Sequence, residues 1–318
     1  MRALVFAYHN VGVRCLKALL SAGVEVPLVV THSDDPAETV WFERVIDVCH
    51  EYEIPYITPA DPNSAEWIAQ FEELAPDFIF SFYYRKMLCQ DILWIPLHGA
   101  LNMHGSLLPK YRGRAPVNWA IINGETETGA TLHYMEVKPD AGDIVAQTAV
   151  PILADDTAKE VFDKVTVAAE ITLCQALPHL LDNTHERTPL DLSEGSYFSG
   201  RQPEDGRIDW HSTPQEIHNL VRAVAPPYYP GAFFEVTLHG ERQRIRLWKT
   251  AIDLDPAPRF EKPTFYCDNN GLYLSNAEGT LRVLKADIQH IDNEFDLNAD
   301  LTPENFTELL GNTQLTLT

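Results

Sequence analysis

Asn102 and His104 stand two residues apart within Gly99-Ala-Leu-Asn-Met-His-Gly-Ser-Leu-Leu-Pro-Lys-Tyr-Arg-Gly-Arg-Ala-Pro116. Residues two apart on a strand share one face. An amide can donate a hydrogen bond to an oxygen that gains negative charge, and an imidazole can accept or deliver a proton. The pair therefore suits a reaction in which both events occur together. It equally suits a strand-end Asn and His satisfied by nearby backbone, and spacing alone leaves both readings open. The loop that follows places Lys110, Tyr111, Arg112 and Arg114 among Pro109, Gly113 and Pro116. Such a cationic rim is unusual in a chain whose net charge is −22. Anionic substrate groups are its natural guests, with a solvated loop as the plain alternative.

The elements that must hold these residues read as an α/β first half. Residues 2–8 form a short apolar run. Val13, Leu16, Leu19 and Leu20 then recur at helical spacing over 11–22, ending at Gly23. Val26–Val30 predicts a strand, and 37–52 a helix with Trp41, Val45, Ile46 and Cys49 on one face. A short strand near Pro55–Ile57, a helix over 64–74, the uninterrupted Phe78-Ile-Phe-Ser-Phe and a strand from Gly99 follow. Strands alternating with helices predict a mostly parallel, Rossmann-like sheet, with ligands at the strands' C-terminal ends. Two longer strands (128–136 and 144–152) and a long helix (157–180) complete this part. Residues 183–206 are polar and read as a linker. Beyond a short helix at 214–224, closely spaced strands (232–238, 243–248, 272–275, 281–284), a turn at His239-Gly240 and a capped helix over 302–311 predict a smaller β-rich, OB-like barrel. The expected domains are 1–200 and 201–318.

Composition narrows the function. Forty-six acidic against 24 basic residues disfavour a nucleic-acid partner. No apolar run nears the ~20 residues needed to span a bilayer, so no membrane partner is expected. The N-terminus does not read as a signal peptide. Five scattered cysteines without a CxxC pair predict reduced thiols in a cytoplasm, with neither disulfides nor a metal site. The first βα turn, Ala7-Tyr-His-Asn-Val-Gly-Val13, has one glycine where a dinucleotide turn needs three, and no GxxxxGK[ST] loop occurs.

Asn102-x-His104-x-Ser106-Leu-Leu-Pro109 … Gly113, with Asp140 in Lys-Pro-Asp-Ala-Gly-Asp143, resembles the motif set of the N10-formyltetrahydrofolate-dependent formyltransferases. Phe80-Ser-Phe-Tyr-Tyr-Arg85, the His104–Pro116 string and Asn123-Gly-Glu-Thr-Glu-Thr-Gly129 resemble the sugar N-formyltransferase branch. Within it they are similar to the formyltransferase domains of the bifunctional polymyxin-resistance enzymes. The resemblance covers roughly the whole chain and is strongest over 78–150 and again over Tyr197–Trp210 and Val221–Phe233.

The resemblance implies a catalytic centre of Asn102, His104 and Asp140, with Asp140 beside His104. Without it, Asp140 reads as a turn residue. It further implies a folate site at Lys86, Met87, Leu88, Glu136, Val137, Lys138, Pro139 and Asp140. Met87 and Leu88 also read as ordinary core. Arg114 matches a ligand-binding position of the sugar branch, and Lys110 and Arg112 join it as candidates for the acceptor's diphosphate. Tyr228 and Tyr229 match an aromatic-Pro-Gly segment that flanks a pyrimidine, or else pack at a domain junction. The implied activity moves a formyl group from N10-formyltetrahydrofolate, the co-substrate, to the 4-amino group of a nucleotide-linked amino sugar. UDP-4-amino-4-deoxy-L-arabinose and a dTDP-4-amino-4,6-dideoxyhexose are the candidate acceptors. The alternatives are a methionyl-tRNA formyltransferase and a catalytically silent folate- or nucleotide-binding module. By resemblance, a homodimer through the C-terminal domain is also expected.

Overall fold

The computed structural model describes residues 1–36, 40–227, 231–238, 240–252, 258–291 and 298–317. These form two compact units. The first comprises Met1–Pro116, Glu127–Pro151 and Phe162–Ser199; the second comprises Val117–Thr126, Ile152–Val161 and Gly200–Thr318. The C-terminal unit thus draws in two segments that precede residue 200.

The chain opens with β1 (Arg2–Ala7), α1 (His9–Ser21), β2 (Glu25–Val30), α2 (Val45–Glu51), β3 (Tyr56–Ile57), α3 (Ala65–Glu73), β4 (Phe78–Phe82), α4 (Gln90–Leu93) and β5 (Ala100–His104). There follow β6 (Arg112–Gly113), α5 (Pro116–Ile122), β7 (Glu127–Tyr134), β8 (Ile144–Pro151), the long α6 (Ala158–Leu181) and β9 (Tyr197–Phe198). One sheet has the order β3-β2-β1-β4-β5-β7-β8. Its first five strands pair in parallel, and β7 pairs antiparallel with both β5 and β8, giving the mostly parallel sheet expected. All five residues of β4 are buried, as its unbroken apolar run requires of a strand covered on both faces. One face packs Leu4, Phe6, Ile79 and Ala100 against Phe71, Ile92 and Leu93.

Two expectations for this unit are corrected. The helix expected over 37–52 starts only at Val45, and residues 37–39 lie outside the described residues. Before it, Phe42 stacks on His9 at 4.1 Å, Trp41 meets His9 at 4.5 Å and the Glu43 N–H donates to Asn10 Oδ1. Tertiary contacts override the helical spacing there. The polar stretch read as a linker is ordered. Tyr197–Phe198 pairs with Arg112–Gly113, and Tyr111 stacks on Phe198 at 5.4 Å.

The second unit carries α7 (Pro214–Ala223), β10 (Ala232–Leu238), β11 (Glu241–Ile252), β12 (Thr264–Asp268), β13 (Gly271–Asn276), β14 (Gly279–His290), β15 (Ala299–Leu301), α8 (Phe306–Leu310) and β16 (Gln314–Thr316). Its strands form an antiparallel sheet ordered β10-β11-β14-β13-β12-β16, with β15 on β14. The sheet curls into a half-barrel, in keeping with the β-rich second domain expected. Thr213 and Glu216 cap α7 reciprocally. Ile217 and Val221 of α7 join Phe234, Ile245, Phe265 and Leu281 in the core. The C-terminal helix is shorter than expected and ends on Gly311, whose φ of 72° suits a glycine cap. His239, from the expected turn, lies outside the described residues.

Candidate active site

Parallel pairing of β4 with β5 sets Ser81 opposite Asn102. Antiparallel pairing of β5 with β7 sets Asn102 opposite His133 and His104 opposite Thr131. Asn102, His104 and His133 are thereby brought to one end of the sheet, with the buried polar Ser81 and Thr131 as their strand neighbours. Beyond β5, a Cβ at Gly105 would stand 2.3 Å from the Tyr83 hydroxyl, so any larger residue there would displace Tyr83. The loop is then fastened at several points. Ser106 Oγ donates to the Lys110 carbonyl at 2.7 Å, Thr131 Oγ to the Ser106 carbonyl at 2.6 Å, and Gln147 Nε2 to the Leu108 carbonyl at 2.9 Å. Tyr111, held at a left-handed φ of 58°, presents its carbonyl to His104.

His104 is buried, and its Nε2–H donates to the Tyr111 carbonyl at 2.8 Å. Its Nδ1 lies 3.5 Å from Asp140 Oδ1. Each ring nitrogen therefore faces an acceptor. Asp140 Oδ2 accepts the Gly113 N–H at 2.8 Å. Burial raises the Asp140 pKa, but the neighbouring His104 and His133 imidazoles and the Gly113 N–H outweigh it. The carboxyl ends well below the usual carboxylate range. At 3.6 Å, His133 Nε2 is too far from Asp140 Oδ1 for a hydrogen bond and acts by proximity. Asn102 Nδ2 donates instead to His133 Nε2 at 3.2 Å, and His133 Nδ1–H donates to the Tyr134 carbonyl at 2.8 Å. Asp140 itself has a φ of 48°, in the left-handed region that Asp tolerates better than most residues.

These groups open into a cleft of about 510 Å³ within the first unit. Asn102, His104, Asp140, Lys86, Met87, Leu88, Glu136, Pro139 and Arg114 all line it. Other expected residues do not. Val137 and Lys138 are exposed beside it, and Lys110 is exposed away from it. Arg112 is buried off the cleft, and its Nε and Nη1 meet no hydrogen-bond partner among the described residues. Tyr228 and Tyr229 lie outside the described residues. Lys86 is not free to act as a cation in the cleft, because its Nζ donates to the carbonyls of Pro59 and Ala60 at 2.8 and 2.6 Å.

The cleft also holds residues that sequence reasoning did not single out: His133, Tyr83, Tyr84, Arg85 and Tyr197. The Arg85 guanidinium lies 4.8 Å from the centre of the Tyr8 ring, and its backbone N–H donates to His32 Nε2 at 3.0 Å. Burial, then the charges of Lys86 and Arg85, push His32 down to about 4, so its ring stays neutral and can accept. Tyr197 falls in the polar stretch read as a linker, where no periodicity marks it. His133 alternates correctly along β7, but nothing in one sequence states which residue of β5 it faces.

Comparison with known proteins places this architecture. Residues 1–177 match the formyl transferase family, and residues 201–293 match the formyl transferase C-terminal domain. The chain belongs to the formyl transferase family. Among solved structures it is similar to an N-formyltransferase from Helicobacter canadensis in complex with folinic acid and dTDP-3-aminofucose. The identity there is 20%, the match covers 88% of this chain and 97% of that one, and the TM-score is 0.67. WlaRD, a sugar 3N-formyl transferase solved in the presence of dTDP and 5-N-formyl-THF, is also 20% identical, covering 92% of this chain and 98% of its own at a TM-score of 0.66. HypX from Aquifex aeolicus in complex with tetrahydrofolic acid is 18% identical, covering 98% of this chain and 47% of HypX at a TM-score of 0.59. At these identities the likeness establishes the fold.

Proposed function

We propose that this chain transfers the formyl group of N10-formyltetrahydrofolate to the 4-amino group of a nucleotide-linked amino sugar. The observation that carries this reading is the buried His104–Asp140 contact beside the Asn102 amide, at the head of a cleft lined by both apolar and cationic groups. Met87, Leu88 and Met135 offer apolar surface to a flat, ring-bearing donor, and Arg85 and Arg114 offer positive charge to an anionic acceptor. The folate and dTDP ligands of the sugar N-formyltransferases with this fold support the same pairing.

In this mechanism the acceptor's neutral amine attacks the formyl carbon. A carbon–nitrogen bond forms, the carbonyl oxygen becomes an oxyanion, and the nitrogen becomes cationic. Asn102 donates an amide N–H to that oxyanion. His104 mediates the proton movement: the nitrogen loses a proton, and the departing folate nitrogen gains one as its bond to the formyl carbon breaks. Asp140 orients the imidazole and lies close enough to stabilise positive charge that develops on it in the transition state. Charge on Arg114 and Arg85 holds the acceptor's diphosphate, so binding away from the reacting atoms contributes through orientation.

The test is kcat/KM for the nucleotide-linked 4-amino sugars, a 3-amino analogue, the free amino sugar and methionyl-tRNA. The nucleotide-linked 4-amino sugar should be far the best acceptor, and a net charge of −22 should leave tRNA nearly unused. A free sugar used as efficiently as its nucleotide-linked form, or efficient tRNA formylation at physiological salt, overturns the reading. No turnover with any amine would favour a binding module.

A further inference from the structure

We propose that His133 is a positioning residue that holds the Asn102 amide with its N–H groups forward, so that a donor and not an acceptor is presented to the oxyanion. The inference rests on the role given to Asn102 above. Asn102 and His133 are direct register partners on β5 and β7, so their side chains rise side by side on one face. His133 is buried to 1% exposure. A carbonyl can only accept, and His133 Nδ1 sits 2.8 Å from the Tyr134 carbonyl. In the neutral ring the proton is therefore on Nδ1 and the lone pair on Nε2. That lone pair accepts from Asn102 Nδ2 at 3.2 Å. The reversed amide would set its oxygen against the same lone pair, acceptor facing acceptor, and would turn another acceptor toward the developing negative charge. Asp140 Oδ1, at 3.6 Å from Nε2, is beyond hydrogen-bond reach and leaves Asn102 as the ring's partner on that side. One amide hydrogen is used by His133, and the second remains for the substrate.

Double-mutant kinetics test this. His133→Phe keeps an aromatic ring but removes the acceptor. We expect kcat to fall roughly 10- to 100-fold, part of the ~10²–10³-fold that complete loss of such a donor costs. KM for both substrates should stay within about twofold. In an Asn102→Ala background the same substitution should cost nothing further, which a merely structural role would not produce. His133→Gln, whose side-chain oxygen can stand in for Nε2, should recover most of the rate. Nitrogen-15 NMR of the wild-type ring should show the Nδ1–H tautomer. The proposal is overturned by an unchanged kcat in His133→Phe, by an equal loss in both backgrounds, by failure of His133→Gln to recover any rate, or by an Nε2–H tautomer. Should His133→Phe not fold, the Gln variant and the tautomer decide. A wild-type kcat in Asn102→Ala alone would reject the role of Asn102, while the tautomer would still report on the His133–Asn102 contact.

Discussion

Replacing Asp140 with Asn isolates the charge at the centre of the site. Asn tolerates the left-handed backbone that Asp140 adopts at φ 48°, so the turn survives and only the negative charge is lost. The Gly113 N–H bond to Oδ2, 2.8 Å in the wild type, becomes a bond to a neutral oxygen. Hydrogen bonds to charged groups contribute about 1.5–3 kcal/mol and neutral ones about 0.5–1.5 kcal/mol, which puts the difference at about 1–2 kcal/mol. The contact with His104 at 3.5 Å adds to this wherever that ring is charged. A loss of about 1–3 kcal/mol at pH 7 follows. The sign with pH is fixed by the depressed carboxyl: its stabilisation is complete above the unfolded pKa of about 3.9 and is lost as pH falls toward the lower folded value. Urea denaturation of both proteins should therefore show a constant gap above about pH 5 that narrows below about pH 4. Turnover should drop on the order of 10²–10⁴-fold. Equal stabilities at pH 7, or a gap that widens on acidification, would falsify this account.

Four further outcomes are expected. Asn102→Ala should fold normally and lose ~10²–10³-fold in kcat, and near-normal turnover would remove it from the centre. Gly113→Ala places a Cβ 2.2 Å from the Phe198 carbonyl at a φ of 95°, so it should lose at least about 2 kcal/mol in urea titrations and much of its activity; wild-type stability would refute the close approach. Arg114→Ala should raise KM for the nucleotide sugar and leave the free sugar unaffected, whereas Lys110→Ala, outside the cleft, should leave both unaffected; the reverse pattern would relocate the acceptor site. In the second unit, buried Arg222 donates to Asn219 Oδ1 and to the carbonyls of Leu153 and Asp156. Arg222→Met strands those acceptors and should cost about 2–4 kcal/mol, as read by thermal or urea unfolding, with kcat unchanged; an equally stable variant would contradict it.

The alternation of Phe78-Ile-Phe-Ser-Phe and Ala-Leu-Asn-Met-His104 with helical segments was enough to read a parallel sheet, and two-residue spacing was enough to put Asn102 and His104 on one face. Asp140 was legible only through the family motif, because no local rule states that a Pro-Asp-Ala-Gly turn folds back onto a strand 36 residues earlier. The cationic run after His104 predicts one rim, yet of Lys110, Arg112 and Arg114 only Arg114 lines the cleft. Arg112 is turned inward where its backbone pairs with Tyr197, a contact set by a segment whose polarity disguised it. His133 was hidden for a related reason: cross-strand register is a tertiary fact, and period-two alternation reports a face but not a neighbour. The early start expected for α2 failed because aromatic packing on His9 outweighs helical spacing.

The antiparallel turn of the sheet has a consequence for the order of events on the ribosome. Asn102, His104 and the loop through Arg114 are synthesised before the hairpin of β7 and β8 that supplies His133 and leads into Asp140 at its turn. β8 is the terminal strand on that side of the sheet. A nascent chain can therefore assemble five parallel strands and still own no complete centre, since the last partners arrive only when the hairpin docks on β5. With Asn102, His104 and Asp140 in the roles proposed, activity is expected late in synthesis, and its appearance in a translation time course would mark closure of the sheet's growing edge.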